Sequence, residues 1–219
     1  MTDEERPGAA HWVPENPSLG TLASGVEACR GCELYRDAEH GVVGRGPEDA
    51  PLLVLGEQPG DQEDHAGQPF VGPAGRLLDR ALDEAGIEPE TVFRTNVVKH
   101  FRFSGTRGKQ RIHKSPGRVH VAACAPWLLA ELDVVQPAGV VILGGVAGKA
   151  VYGASYKVGE SRGALLDWPD DIGGRPVAGH RPDWVLPTVH PSAVLRSRDR
   201  DADLAAFVAD LVVARERLG

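Results

Sequence analysis

Two periods of apolar residues run through the chain. The stretch "PLLVLGE", Pro51 to Glu57, is apolar almost throughout until a Gly/Pro loop stops it, the pattern of a strand buried in a parallel sheet. In "PAGRLLDRALDEAGI" the spacing changes. Leu77, Leu78, Ala81, Leu82 and Ala85 repeat at helical intervals, with Pro73 at the entrance and Gly86 at the exit. "VFRTNVVK" predicts a second strand, "GVVILGG" a third, and "WVLPTVHPSAVLR" a fourth that runs into a turn and helix. A helical pattern covers Arg118 to Gln136, a short helix covers "GVAGKAVYG", and "DADLAAFVADLVVARERL" closes the chain as an amphipathic helix. Trp168 to Asp183 is rich in Pro, Gly and Asp and reads as a loop. Strands alternating with helices predict an α/β fold: three layers, α/β/α, around a central four-stranded parallel sheet.

Length and composition narrow this further. A chain of 219 residues, 42% hydrophobic, can bury one good core. The expected organisation is a single domain over residues 21–219 after a loosely ordered, acidic and Pro-rich arm at residues 1–20. No apolar run is long enough to span a bilayer, and the arm does not resemble a signal peptide. Three cysteines, an odd number, argue against a disulfide framework. A soluble cytoplasmic protein is expected, monomeric and without a membrane partner. The net charge of −7 would oppose a nucleic-acid partner, but its distribution does not. From Phe93 to Ala130 there is no Asp or Glu, while Arg94, Lys99, Arg102, Arg107, Lys109, Arg111, Lys114 and Arg118 all fall there. That stripe is either a solvated face or the footprint of phosphate contacts.

Ligands of such sheets bind beyond the carboxyl ends of the strands. Three strand ends here carry capable side chains: "GEQPGDQED", the segment Asn96 to His100, and "HPS". The third ends in "GGVAGKA" but fails as a phosphate loop, because Leu143 stands where the first Gly is needed and Ala150 replaces the metal-binding hydroxyl. "CRGC" sets Cys29 and Cys32 at a spacing that lets two thiolates reach one metal, with Cys124 far downstream. A redox dithiol and an inert buried cysteine are the competing readings. A fourth ligand would have to be something other than cysteine, and His100 is a candidate.

Taken together, "GEQPGDQEDHAGQPFVGPAGRLLDRAL", "TNVVKH", "RIHKSP" and "HPS" resemble the iron–sulfur uracil-DNA glycosylases of the family 4 type, and within them the UdgX branch. The similarity spans nearly the whole chain after the arm. It implies a [4Fe–4S] cluster on Cys29, Cys32, His100 and Cys124, with His100 in place of a family cysteine. It implies uracil-containing DNA, single-stranded or double-stranded, as partner. By resemblance Asn96 reads the uracil edge, Phe70 stacks on the base, and Gln58 and Asp61 line the pocket. His190 donates to uracil O2, and His113, oriented by Glu57, attacks the sugar and stays bonded to it. Arg111 either pins the loop or contacts a phosphate; Lys109, Lys114, Arg107 and Ser192 are DNA contacts. One position departs from the branch: Gln110 stands where a middle arginine is usual.

Each residue also has a plainer reading. Asn96 is an ordinary strand-end amide, Phe70 core, His190 a histidine satisfied by backbone, and Asp61, Glu63 and Asp64 a solvated acidic turn. At the level of the whole protein, two alternatives to covalent capture remain: a multiple-turnover family 4 glycosylase, and a non-catalytic, metal-containing DNA-binding module.

Overall fold

The computed structural model describes residues 6–108 and 110–219. In chain order, α1 (Leu19–Ala28) precedes β1 (Leu52–Gly56), α2 (Asp61–Ala66), α3 (Pro73–Ala85) and β2 (Val92–Asn96). A hairpin of β3 (Phe103–Arg107) and β4 (Gln110–His113) comes next, followed by α4 (Arg118–Val135), β5 (Gly139–Leu143), α5 (Gly144–Tyr152) and α6 (Val158–Ser161). The two-residue strands β6 (Asp171–Ile172) and β7 (Arg175–Pro176), then β8 (Trp184–Thr188), α7 (Pro191–Leu195) and α8 (Arg200–Leu218), complete the chain.

The four apolar runs pair as one parallel sheet in the order β2-β1-β5-β8. Alternation within each strand divides its side chains between two cores. Leu53, Leu55, Phe93, Val140, Ile142 and Val185 pack with Trp127 and Leu128 of α4. Leu52, Val54, Val92, Val141, Leu186 and Trp184 pack with Leu78 and Leu82 of α3 and Phe207 and Leu211 of α8. These are the three layers expected from the pattern. Helix α3 starts with Pro73 and ends at Gly86, which adopts φ +79° and turns its N–H back to the Leu82 and Asp83 carbonyls.

Register brings the strand ends level. Gly56 sits beside Asn96, and Leu143 beside Thr188, so the loops that follow form one rim. Within the segment 6–20, Ala9 is buried, Gly8 N–H bonds Gly31 C=O at 3.0 Å, and Ser18 caps α1.

The basic segment differs from the expected loop. It folds as an antiparallel ribbon with Phe103 opposite His113 and Arg107 opposite Gln110. The expected cationic stripe does not form one surface either. Lys99 is fully buried and bonds Glu131 at 2.7 Å, and Arg94 pairs with Asp79 at 2.6 Å. Desolvated ammonium and guanidinium groups take internal partners, so runs of charge in sequence do not translate into runs on the surface. Arg107, Lys114 and Arg118 are exposed; Lys109 lies outside the described residues.

Candidate active site

A cavity of about 740 Å³ opens at the rim of the sheet. Its walls include Glu57, Gln58, Asp61, Phe70, Asn96, Arg107, Arg111, His113, His190 and Ser192, residues from five separate stretches of sequence. Asn96, at the end of β2, is buried, and so is Phe70. Both approach Gly56 so closely that a Cβ there would meet Asn96 Oδ1 at 2.3 Å and Phe70 Cζ at 2.8 Å. Phe70 itself has φ +58°, a strained conformation for a bulky residue. It is held by α3, where a Cβ on Gly75 would meet the Phe70 carbonyl oxygen at 1.6 Å.

His190 caps α7. Its Nδ1 accepts the Ser192 N–H at 3.1 Å and lies 2.8 Å from Ser192 Oγ. An acceptor nitrogen carries no proton, so in the neutral ring the proton is on Nε2. Burial pushes the His190 pKa down to about 4, with Arg196 and His113 adding to the effect. The imidazole is therefore a neutral donor near neutral pH.

Glu57 follows β1. Burial raises its pKa, opposed by the charge of His113 and a hydrogen bond from Ser115. Glu57 Oε1 is buried without a hydrogen-bond partner among the described residues, and His113 Nε2 lies 3.6 Å away. The His113 side chain is 46% exposed, open enough for a large substrate to reach the ring.

The hairpin that carries His113 is fastened at both ends. Gln58 Nε2 donates to the carbonyls of Arg102 (3.0 Å) and Lys114 (3.2 Å), and Gln58 Oε1 accepts the Arg102 N–H. Arg111 donates to Asp61 Oδ1 and, at 2.7 Å, to Asp64 Oδ2, and its guanidinium lies 5.2 and 5.1 Å from the ring centroids of Phe101 and Phe103. Asp64 is fully buried and also accepts the backbone N–H groups of Glu39 and His40. The Arg111 contacts hold the hairpin against Asp61 and Asp64. Asp61 faces the cavity with its carboxylate already engaged by Arg111. The acidic turn is not a solvated one: Glu63 accepts the Gly60 N–H, and burial raises its pKa.

Residues 43–212 match the family model described as the Uracil DNA glycosylase superfamily. The chain belongs to the uracil-DNA glycosylase superfamily. It is 36% identical over 177 residues to the Type-4 uracil-DNA glycosylase of Thermotoga maritima, covering 80% of this chain and 82% of that one. The Type-4 uracil-DNA glycosylase of Pyrobaculum aerophilum is 33% identical over 190 residues, with 83% and 89% covered.

In this superfamily member the three cysteines are buried and free of disulfides. Cys32 and Cys124 hydrogen-bond each other, which lowers the Cys32 pKa and raises that of Cys124 well above its ordinary value. Trp127 Nε1 and the Gly31 N–H each donate to Cys29 Sγ at 3.4 Å. His100 is buried close by in sequence to Lys99, and burial lowers its pKa to about 4. Among the described residues no three His, Cys, Asp or Glu side chains are gathered as they would be around a single metal ion. In kind, the donors nonetheless fit iron–sulfur chemistry: buried thiols, no disulfide, and N–H groups aimed at sulfur.

Four contributors were invisible from the motifs alone. Gly56 and Gly75 act by lacking a side chain. The "GG" at the end of β5, which fails as a phosphate loop, lines the cavity instead: Gly144 takes φ +85°, where a Cβ would lie 2.9 Å from His190 Cβ. Ser115 supports Glu57.

Proposed function

We propose that the protein recognises uracil in DNA, cleaves the N-glycosidic bond, and captures the deoxyribose C1′ on His113 in a single turnover. The observation that supports this reading is one cavity shared by His113, Glu57, Asn96, Phe70 and His190, with His113 Nε2 3.6 Å from Glu57. The target nucleotide leaves the stack and its base enters the cavity. The Asn96 amide offers one donor and one acceptor, complementary to uracil O4 and N3–H, and Phe70 supplies an apolar face.

As the C1′–N1 bond breaks, its electron pair moves into the uracil ring. His190 Nε2–H donates to O2 as negative charge grows there, the preorganised stabilisation of a developing anion. The sugar becomes oxocarbenium-like. The His113 ring nitrogen turned away from Glu57 gives its lone pair to C1′, and the Nε2 proton passes to the unpartnered Glu57 oxygen. The product is a neutral N-alkyl imidazole, a poor leaving group, so the bond to DNA persists. Gln58, Asp61 and Arg111 position the hairpin. Arg107, Lys114, Lys109 and Ser192 contact the DNA backbone.

Cys29, Cys32, Cys124 and His100 would hold a [4Fe–4S] cluster, which when bound would staple the Cys29–Cys32 segment to α4 and take no part in the reaction. A second reading, favoured by the similarity to Type-4 uracil-DNA glycosylases, is a multiple-turnover glycosylase in which Glu57 orients water and an abasic site is released.

A denaturing gel of the protein with uracil-containing single-stranded DNA separates the two. Capture should give one heat-resistant adduct per protein, absent with His113→Ala. Free uracil in many-fold excess over protein, with no adduct, would establish the second reading. Visible absorbance of the freshly purified protein should report the cluster, and a colourless zinc protein would remove it.

A further inference from the structure

A second hollow, about 1010 Å³, adjoins the catalytic cavity and plays no part in the chemistry above. The two meet at Val146, which lines both, and at the Ser115–Pro116 bond, Ser115 facing the cavity and Pro116 the hollow. One wall is the first turn of α4, with Arg118 and Val119; the other is α5, with Lys149 and Tyr152. Val119 is 50% exposed. The Tyr152 ring is held flat: it stacks on Tyr156 at 5.6 Å, and its hydroxyl donates to the Asp167 carbonyl at 2.9 Å. Arg118 and Lys149 are exposed and make no ion pair among the described residues. The hollow also holds two carboxylates, each already engaged. Asp170 pairs with Arg181, and Asp171 accepts the Gly174 N–H.

We infer that this hollow is the path of the DNA strand next to the flipped uridine, holding an unpaired neighbouring nucleotide. The inference rests on the proposed function. Three features favour that occupant: continuity with the cavity that takes the base, free cations on both walls for phosphate, and an aromatic and apolar floor for a base face. Together these are the chemistry of single-strand binding. A base rests on Tyr152 and Val119, while its phosphates meet Arg118 and Lys149. Each phosphate so met adds about 0.7 to the salt dependence of binding to a single strand.

The test compares the wild-type protein with Arg118→Glu/Lys149→Glu and with Val119→Asp, none of which touches the catalytic groups. Single-stranded oligonucleotides carry one uracil with flanks shortened from the 5′ or the 3′ side. With the wild type, shortening one flank should slow reaction at low DNA concentration about tenfold, and shortening the other should not. In both variants that asymmetry should vanish, the salt dependence should flatten in the double variant, and the rate at saturating DNA and the melting temperature should hold. Equal dependence on both flanks in the wild type, or an unchanged asymmetry in the variants, overturns the inference. So does self-association in light scattering that is lost in Val119→Asp while the DNA kinetics stay unchanged, which would make the occupant a second copy. If the wild type neither releases uracil nor forms an adduct on any oligonucleotide, the proposed function itself fails, a result distinct from all of these.

Discussion

The acid–base character of the site rests on two side chains with opposite shifts. Burial raises the Glu57 pKa, and the proposed capture needs this carboxylate ionised to take the His113 proton. The capture rate should therefore rise with pH, its midpoint above the ordinary glutamate value of about 4.3. Glu57→Gln should flatten that limb and slow capture by about 10²–10⁴. Rapid-quench measurement of adduct between pH 4.5 and 8.5 checks both, and a limb that survives in the variant would assign it to another group. His190 should add no limb near neutral pH. Its pKa of about 4 keeps the ring neutral and its Nε2–H available.

At the scale of elements, the hairpin depends on side chains outside itself. Among the residues of β3 and β4, only Arg111 and Phe103 reach less exposed surroundings, and Arg111 lands on Asp61 and on Asp64, which is fully buried. Removing the guanidinium leaves Asp64 a buried charge without its cation, a loss that commonly costs about 3–5 kcal/mol. Arg111→Ala should thus lower the melting temperature, expose the hairpin to proteolysis, and slow capture about a hundredfold through misplacement of His113. Arg111→Lys should restore little, since a point charge cannot serve two carboxylates as a planar fork does. Proteolysis mapped alongside the kinetics distinguishes this from direct phosphate binding, which would weaken DNA affinity and leave the hairpin protected. Gln110, the departure from the branch pattern, is exposed on β4 and outside this anchor, so it leaves the Arg111 contacts intact.

Across the whole molecule, a fully buried ion pair ties the site to the core. Lys99 Nζ donates to Glu131 Oε2 (2.7 Å), Thr95 Oγ1 (2.7 Å) and the Asn96 carbonyl (2.8 Å), while Glu131 Oε1 accepts the Gly44 N–H. It joins the exit of β2, the last third of α4 and the segment before β1. Lys99→Met strands Glu131 and should destabilise the fold by about 3–5 kcal/mol, whereas Lys99→Met/Glu131→Leu should recover most of that. Urea unfolding of the three proteins measures the difference. A double variant no more stable than the single one would show that the hydrogen bonds of this network, Glu131 to Gly44 and Thr95 among them, and not charge compensation, carry the effect.

Much of this was legible in the chain. Five-residue apolar strands and the period of α3 depend on local pattern, and burial on both faces leaves a parallel strand almost no alternative composition. The strand order needed the pairing of the folded chain, whereas several residues that line the cavity were already candidates, because strand ends are where an α/β sheet binds its ligands. The hairpin was not. Its strands are mostly exposed and carry no apolar period, so only docking through Gln58 and Arg111 makes them strands. Nor could sequence separate Lys99, buried against Glu131 thirty-two residues away, from the cations that remain at the surface. Local pattern determines elements and candidate chemistry. Which charge is spent inside, and which ring nitrogen keeps its proton, depends on partners distant in sequence, and only the folded chain supplies them.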